Sequence, residues 1–433
     1  MIFYKTLKNI RTSFGLTPEQ LAEMMECETS YILTLESPSN KKIEASPEFV
    51  EKLREKLGLQ GAPITENDRD GLMDRLEILK NMIDYGAIDR AKRWIPRLTD
   101  DVRRSYNVSV NLMLDLIMAN YHRVLGDMKT WEEMMETLSR QQDEFNARHS
   151  YLYLRMVGIR AYMNSRFMEA VRALAKAERL DIGLKYNEVG FYYIYGVCLS
   201  DAGYVTSAID MLRKAKRMGT WAKQFNNEPN KKYDVYIDSY LALNLSIVGR
   251  SDEAYKVMSR RLGIEYKAGS KEKIGYAYHG MGSVYLQIER YDDALKNFGQ
   301  ALEYLDKESE AYKSVLHRKA NALAATGRIN ECVSCAEEGM SICQDGDELW
   351  RLMFGAKKHS VMLDNPESLD ALENTYIPKL IEYEHNEVVV EYYEVLSGFY
   401  KRSGDNERAL YYSDLALATY RRLYKEKVEG AMM

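Results

Sequence analysis

Proline is scarce in this chain, with eight residues in 433, and strand-like alternation is missing from most of it. Both shortages favour an all-helical protein. No stretch approaches the ~18 apolar residues of a membrane span. The opening Met-Ile-Phe-Tyr-Lys-Thr-Leu-Lys-Asn-Ile carries Lys5 and Lys8 inside its apolar run and shows no cleavage pattern, so a signal peptide is not expected. The expected location is the cytoplasm, with no membrane partner. A basic excess is also lacking, since the formal net charge is −5, which speaks against general binding to nucleic acid or membrane surfaces. Five cysteines, an odd number, point to a reducing compartment. The six histidines are scattered, without His-Glu-x-x-His or Cys/His ligand spacing, so no metal site is expected. Cys332-Val-Ser-Cys335 is the one Cys-x-x-Cys. It lacks a second ligand pair and a preceding strand, and it reads as packing. Gly280-Met-Gly282 lies inside a helical pattern and is no phosphate loop, and no Gly-x-Ser-x-Gly elbow occurs. Neither catalysis nor a bound cofactor is expected.

A pattern that returns about every forty residues is what the chain does have. A helical stretch ends in a tight turn, and a second opens with a small residue five positions later. This anchor falls at Ala91, Trp131, Ala170, Ala208, Ala254, Ala294, Cys332, Asp370 and Ala409. Seven residues before each turn stand Leu79, Ala119, Gly158, Gly196, Ala242, Gly282, Ala320, Lys358 and Ser397, mostly Gly, Ala or Ser. Small residues there let two helices cross closely. Tyr285, Phe298, Leu199, Leu212, Leu174, Met135 and Tyr400 fill the surroundings, and most of the Tyr and Met stripe reads as core. A helix pair of this kind cannot bury its apolar face alone and stacks on its neighbours. The widest gap, between Ala208 and Ala254, places a longer loop near 221–234, a polar and turn-rich stretch. At 433 residues more than one domain is expected.

The copy Gly282, Tyr285, Ala294, Phe298, Ala301 resembles the tetratricopeptide repeat. The other copies match in part, those near Trp131 and Asp370 poorly. The expected fold is a right-handed α-solenoid of about nine such helix pairs over residues 70–433, with a linker at 61–69.

Residues 1–60 follow a different pattern. Leu7–Arg11 begins a short helix, which Gly15-Leu16 ends. Thr17 is an N-cap with Pro18 at the first helical position. Glu19–Met25 follows, then the turn Glu26-Cys-Glu28, a helix over Thr29–Glu36 and a capped helix from Ser46 to Gly58. Leu21, Ala22, Ile32 and Leu35 point inward, as in a helix-turn-helix. With Ile10-Arg11, Gly15-Leu16-Thr17, Glu36 and Leu57-Gly58-Leu59, the segment resembles phage-repressor-type and Xre-type regulators. Thr29, Ser30, Tyr31 and Thr34 are then the candidates for DNA contact, with Arg11, Lys41 and Lys42 at the phosphate margins. Between Thr12 and Asn40 there is no Lys or Arg, and residues 1–60 as a whole hold eight basic and nine acidic residues. Such a face suits phosphate poorly, and Pro18 stands where the family often has a DNA-contacting Gln.

An Xre-like module followed by long helical repeats resembles the RRNPP peptide-sensing regulators. The resemblance implies a short signalling peptide on the concave face of the repeats, a homodimer, and regulated binding to DNA or to a partner protein. Read independently, the first helices of the pairs line an inner wall that presents Asn120, Arg123, Arg155, Tyr193, Tyr236, Tyr276, His279, Ser283, His317 and Asn321. Asn amides can pair with an extended peptide backbone, and Arg123 or Arg155 can hold a carboxylate. Two functions stay open: a peptide-responsive transcriptional regulator, or a scaffold or anti-activator that sequesters a protein and carries a degenerate helix-turn-helix.

Overall fold

Wherever the small residues recur, two helices cross. The computed structural model describes residues 4–37, 45–164, 166–180, 189–225, 231–383 and 385–432. Every regular element among them is helical. By internal packing the chain divides into two units, Met1–Met156 with Lys176–Gly183, and Val157–Ala175 with Leu184–Met433.

The first unit opens with α1 (Tyr4–Ser13), α2 (Pro18–Met25), α3 (Thr29–Leu35) and α4 (Pro47–Lys56). The Thr17 hydroxyl accepts from the Gln20 N–H at 3.2 Å, and the Gln20 side chain accepts from the Thr17 N–H at 2.8 Å. This reciprocal cap fixes the start of α2. Glu26 at φ 56° closes the helix, and α3 begins three residues later. Leu21, Ala22, Ile32 and Leu35 are buried as expected, together with Leu7, Ile10 and Leu53. The stretch 61–69, expected to link two domains, does not. Ala62 and Ile64 are buried in the same apolar cluster, and α5 starts at Glu66, capped by the Thr65 hydroxyl. Two apolar residues within a short polar segment are enough to draw it onto the core.

Helix pairs follow in this unit as α5 (Glu66–Asp84) with α6 (Ile88–Arg103) and α7 (Val108–Val124) with α8 (Met128–Ser139); α9 (Ala147–Met163) and α10 (Phe167–Glu178) come next. The turn between α6 and α7 meets α1: the Asn107 amide donates to the Thr6 hydroxyl at 3.2 Å, and the Asn9 amide donates to the Tyr106 carbonyl at 3.0 Å.

The second unit continues with α11 (Val189–Asp201), α12 (Val205–Phe225), α13 (Lys231–Ile247), α14 (Ser251–Ala268), α15 (Lys271–Gln287), α16 (Tyr291–Tyr304), α17 (Glu310–Ala325), α18 (Ile329–Ser341) and α19 (Glu348–Ser360). Helices α20 (Pro366–Ala371) and α21 (Ile377–Glu382) are joined by a π-helical turn over Leu372–Tyr376, and α22 (Asn386–Ser403) with α23 (Asn406–Met432) completes the series. Consecutive helices pair, and the first helices α11, α13, α15, α17 and α19 lie side by side. The loop expected over 221–234 is shorter than that: α12 runs to Phe225 and α13 begins at Lys231, because neither flank contains a helix breaker.

The crossings show why the slots are small. A methyl group at Gly282 would stand 2.6 Å from the Phe298 ring; at Gly196 and Gly158 it would stand 2.7 Å from Leu212 and Leu174. Each bulky partner comes four residues after an anchor, one helical turn on. Ala91, Trp131, Ala170, Ala208, Ala254, Ala294 and Cys332 are fully buried and Ala409 nearly so. The eighth pair departs from the expected register: Asp370 is exposed and Lys358 half-buried. Its buried small residues are Ala356 and Ser368, separated by the same twelve residues as Gly282 and Ala294. The evenly spaced anchor had assumed a uniform period, which this pair does not keep.

A valine at Gly282 must displace the Phe298 ring, and Gly282→Val is expected to lower the unfolding free energy by about 1–3 kcal/mol. Gly299→Ala, in a helix interior with nothing within 4 Å of the added methyl, is expected to raise it by about 0.5–1 kcal/mol. Denaturant titration of both variants checks the contrast.

Candidate functional site

The ten residues expected on one inner wall fall into two settings. Asn120, Arg123 and Arg155 belong to the first unit, where they surround a buried carboxylate. Arg155 donates twice to Asp84, both at 3.0 Å, and Lys80 lies 3.3 Å from it. The Asn120 amide donates to Asp84 at 3.1 Å, while its oxygen accepts from Arg123 at 2.8 and 3.1 Å. Asn120, expected to offer both its groups to a peptide backbone, is thus engaged on both sides within the fold. Arg155, expected to hold a ligand carboxylate, already holds Asp84. The physical reason is Asp84 itself: a buried carboxylate is tolerated only when paired and hydrogen-bonded. Burial opposes its ionisation, but the charges of Arg155 and Lys80 prevail and hold it well below the usual carboxylate range. A small cavity lined by Lys80, Asn120, Leu152 and Arg155 opens beside the cluster.

Tyr193, Tyr236, Tyr276, His279, Ser283, His317 and Asn321 belong to the second unit, on α11, α13, α15 and α17. The aromatic residues form a run: Tyr193 stands 6.2 Å from Tyr236 and 6.4 Å from Tyr240, and Tyr236 meets Tyr276 edge-on at 4.7 Å between ring centroids. One turn on from Tyr276, the His279 ring stands 6.3 Å from that of Phe298. His317 follows on the next first helix, 5.9 Å from the Phe354 ring and 6.2 Å from that of Trp350. The Ser283 hydroxyl donates to the His279 carbonyl at 2.9 Å, which engages it within its own helix. By contrast, His279 Nε2, His317 Nε2 and Asn321 Oδ1 are buried and find no hydrogen-bond partner among the described residues.

Asn244, which the sequence reading missed, adds a fourth such atom, its Oδ1. Its amide donates to the Ser200 hydroxyl and the Tyr240 carbonyl, both at 2.8 Å. Buried polar atoms without partners are rare in folded proteins and call for an explanation. Here they recur on three successive first helices. Burial pushes His279 and His317 down to about 3, with Arg318 acting on both and Lys357 and His385 also on His317. Both imidazoles are neutral at pH 7, so each ring carries one donor and one acceptor.

On the N-terminal helices the expected DNA-contact residues lie on or near α3. Ser30 is exposed, and its hydroxyl donates to Glu28 at 3.0 Å. Thr29 and Thr34 are half-buried. Tyr31 is also half-buried, its ring 5.6 Å from that of Phe49. Arg11, expected at a phosphate, is buried and donates twice to Glu36, at 2.7 and 2.9 Å, and once to the Leu16 carbonyl at 2.7 Å. Its guanidinium braces α1 against α3 and is closed to a ligand. Leu33, not foreseen, is 51% exposed on α3. Lys41 and Lys42 lie outside the described residues. No described helix is long and apolar enough to cross a membrane.

A tetratricopeptide repeat family model matches residues 275–304, which is the α15–α16 pair. Among curated proteins, the chain is 20% identical over 388 residues to the transcriptional activator NprA of Geobacillus stearothermophilus, covering 86% of this chain and 92% of that one. Among solved structures, it resembles a Rap protein complexed with competence and sporulation factor, with a TM-score of 0.70 and 13% identity over 82% of this chain and 99% of that one. It also resembles NprR in complex with its cognate peptide NprX, with a TM-score of 0.62 and 17% identity over 82% and 99%. In fold and repeat architecture the chain resembles these Rap and NprR structures.

The two polar settings give different pH signatures. Asp84→Asn is expected to cost about 3–5 kcal/mol at pH 7 because it leaves Arg155 and Lys80 without their carboxylate. A depressed folded pKa contributes stability that is lost as pH falls below the unfolded value, so the gap between variant and parent should narrow below about pH 4. Asn120→Ala is expected to cost about 1–3 kcal/mol by the same unfolding measurement. For His279 and His317, the unfolded chain takes up protons that the folded chain does not, over the window from about 6.5 down to about 3. Stability therefore falls as pH drops through that window. His317→Gln should flatten the fall, as read by thermal melts at stepped pH.

Proposed function

We propose that the chain is a cytoplasmic, peptide-responsive transcriptional regulator that acts as a homodimer and has no enzymatic activity. The observation that carries this reading is the series of unpartnered polar atoms on α13, α15 and α17, with the tyrosine run beside it. An extended peptide presents a regular row of unpaired N–H and C=O groups together with apolar side chains. Neutral imidazoles and Asn oxygens can meet the first, and Tyr193, Tyr236 and Tyr276 the second. The solved relatives that hold signalling peptides support this reading. Bound peptide shifts the angles between pairs and so alters DNA binding by α2 and α3 in the dimer. Half-sites on one face of DNA demand a fixed spacing of the two modules, so a small shift changes affinity.

The absence of Lys and Arg from Thr12 to Asn40 and the engagement of Arg11 by Glu36 favour a second reading. In it the module is degenerate and the repeats sequester a protein partner.

Genome-wide recovery of DNA with the tagged chain at physiological salt separates the two. Discrete palindromic sites are expected under the first reading. No DNA enrichment, together with a co-purifying protein, would replace it with the second.

A further inference from the structure

Arg318 lies on α17 beside His317, half-buried, and makes no hydrogen bond or ion pair among the described residues. Most guanidiniums around it in sequence are accounted for: Arg290 meets Asp293, Arg328 meets Glu331, and Arg351 donates to the Cys343 and Gln344 carbonyls. A cation in a partly desolvated setting without a counter-ion raises the local potential and draws an anion.

Its surroundings are defined by the repeat. Tyr240, Gly280 and Arg318 occupy equivalent places on α13, α15 and α17, each fourteen residues before an anchor (254 − 240, 294 − 280 and 332 − 318). This row faces the preceding pair: a methyl group at Gly280 would stand 2.7 Å from the Ser239 hydroxyl of α13. Arg318 accordingly acts on His279 of α15 and on Tyr240 of α13 as well as on His317. On the same first helices, α15 and α17, the Nε2 atoms of His279 and His317 and the Asn321 oxygen are buried without a partner among the described residues. His317 itself is 8% exposed.

We propose that Arg318 receives a carboxylate of the peptide ligand. Its planar fork matches the two oxygens. The neutral imidazoles of His279 and His317 supply N–H donors to the same group, and the Asn321 oxygen accepts an N–H next to it. A carboxylate with a neighbouring amide N–H is the chemistry of a peptide's C-terminal residue, and also of an Asp or Glu within it. This inference rests on the peptide-binding reading and adds to it the sign, chemistry and position of one anchoring group.

The test exposes the immobilised full-length chain to three random heptapeptide libraries. One has free C-termini and no Asp or Glu. One is C-amidated with Asp and Glu allowed. The third is amidated and free of acids. Retained peptides are read by mass spectrometry for the parent, Arg318→Gln and Arg318→Lys. Retention from at least one carboxylate-bearing library should exceed that from the third by about tenfold or more. Which of the two is enriched tells a terminal from a side-chain carboxylate. Arg318→Gln should erase the preference while the melting temperature stays unchanged, and Arg318→Lys should keep part of it. Equal retention from all three libraries by the parent would overturn the assignment and leave peptide binding intact. An equal preference in Arg318→Gln would also overturn it. Retention of no peptide from any library would overturn the peptide-binding reading and this inference with it.

Discussion

The close crossing of the two helices in each pair is the constraint on which the rest of this structure depends. Where Gly282 meets Phe298, or Gly196 meets Leu212, the backbones approach to a distance that a methyl group would prevent. An aromatic or branched side chain from the second helix fills the notch, which locks the rotation of both helices about their axes. Once that rotation is fixed, so is the face that the first helix turns away from its partner. The tyrosines, imidazoles and Asn residues of α11, α13, α15 and α17 follow from it. His279 stands at the crossing itself, its ring 6.3 Å from that of Phe298, and the alignment of these groups from pair to pair is inherited from the alignment of the small residues.

Buried polar groups are handled in two opposite ways along the chain. Around Asp84, two cations and an amide meet one carboxylate, and Arg123 bonds the other side of that amide. Such a cluster holds α5, α7 and α9 in register and offers little to a ligand. On α13, α15 and α17 the side chains with unpartnered buried atoms, Asn244, His279, His317 and Asn321, are neutral. A fold gains nothing from leaving them so, because each carries the cost of a lost hydrogen bond. A binding surface does gain, since the same atoms become partners for whatever is bound.

Much of this was legible in the residues. Short-range chemistry marked the N-terminal helices: the Thr17–Pro18 start, the turn at Glu26 and the inward Leu21, Ala22, Ile32 and Leu35 all stand where capping and periodicity put them. Seven of the nine anchors were read from spacing and are fully buried. What failed required knowledge of three-dimensional partners. Asn120 and Arg155 have the right residue types for a ligand site, and only the position of Asp84, far away in sequence, shows that they serve the fold. Arg11 was lost to Glu36 for the same reason. Ala62 and Ile64 looked like linker because two apolar residues among polar ones carry no periodicity. The eighth pair slipped by two positions because it does not keep the period of the pairs before it, which spacing alone cannot register. Arg318 was overlooked because its importance lies in what it does not touch.

The contacts between α1 and the turn preceding α7 bear on signal transmission. Thr6 and Asn9 are tied to Asn107 and Tyr106, and Ala62 and Ile64 fill the core that a tether would have left open. A module on a flexible linker searches a volume set by linker length, and its target sees an averaged local concentration. A module fastened at both ends of its sequence turns with the helices that hold it. Its orientation is fixed with that of the first pairs, so under the proposed function what reaches it would be an angle rather than a concentration.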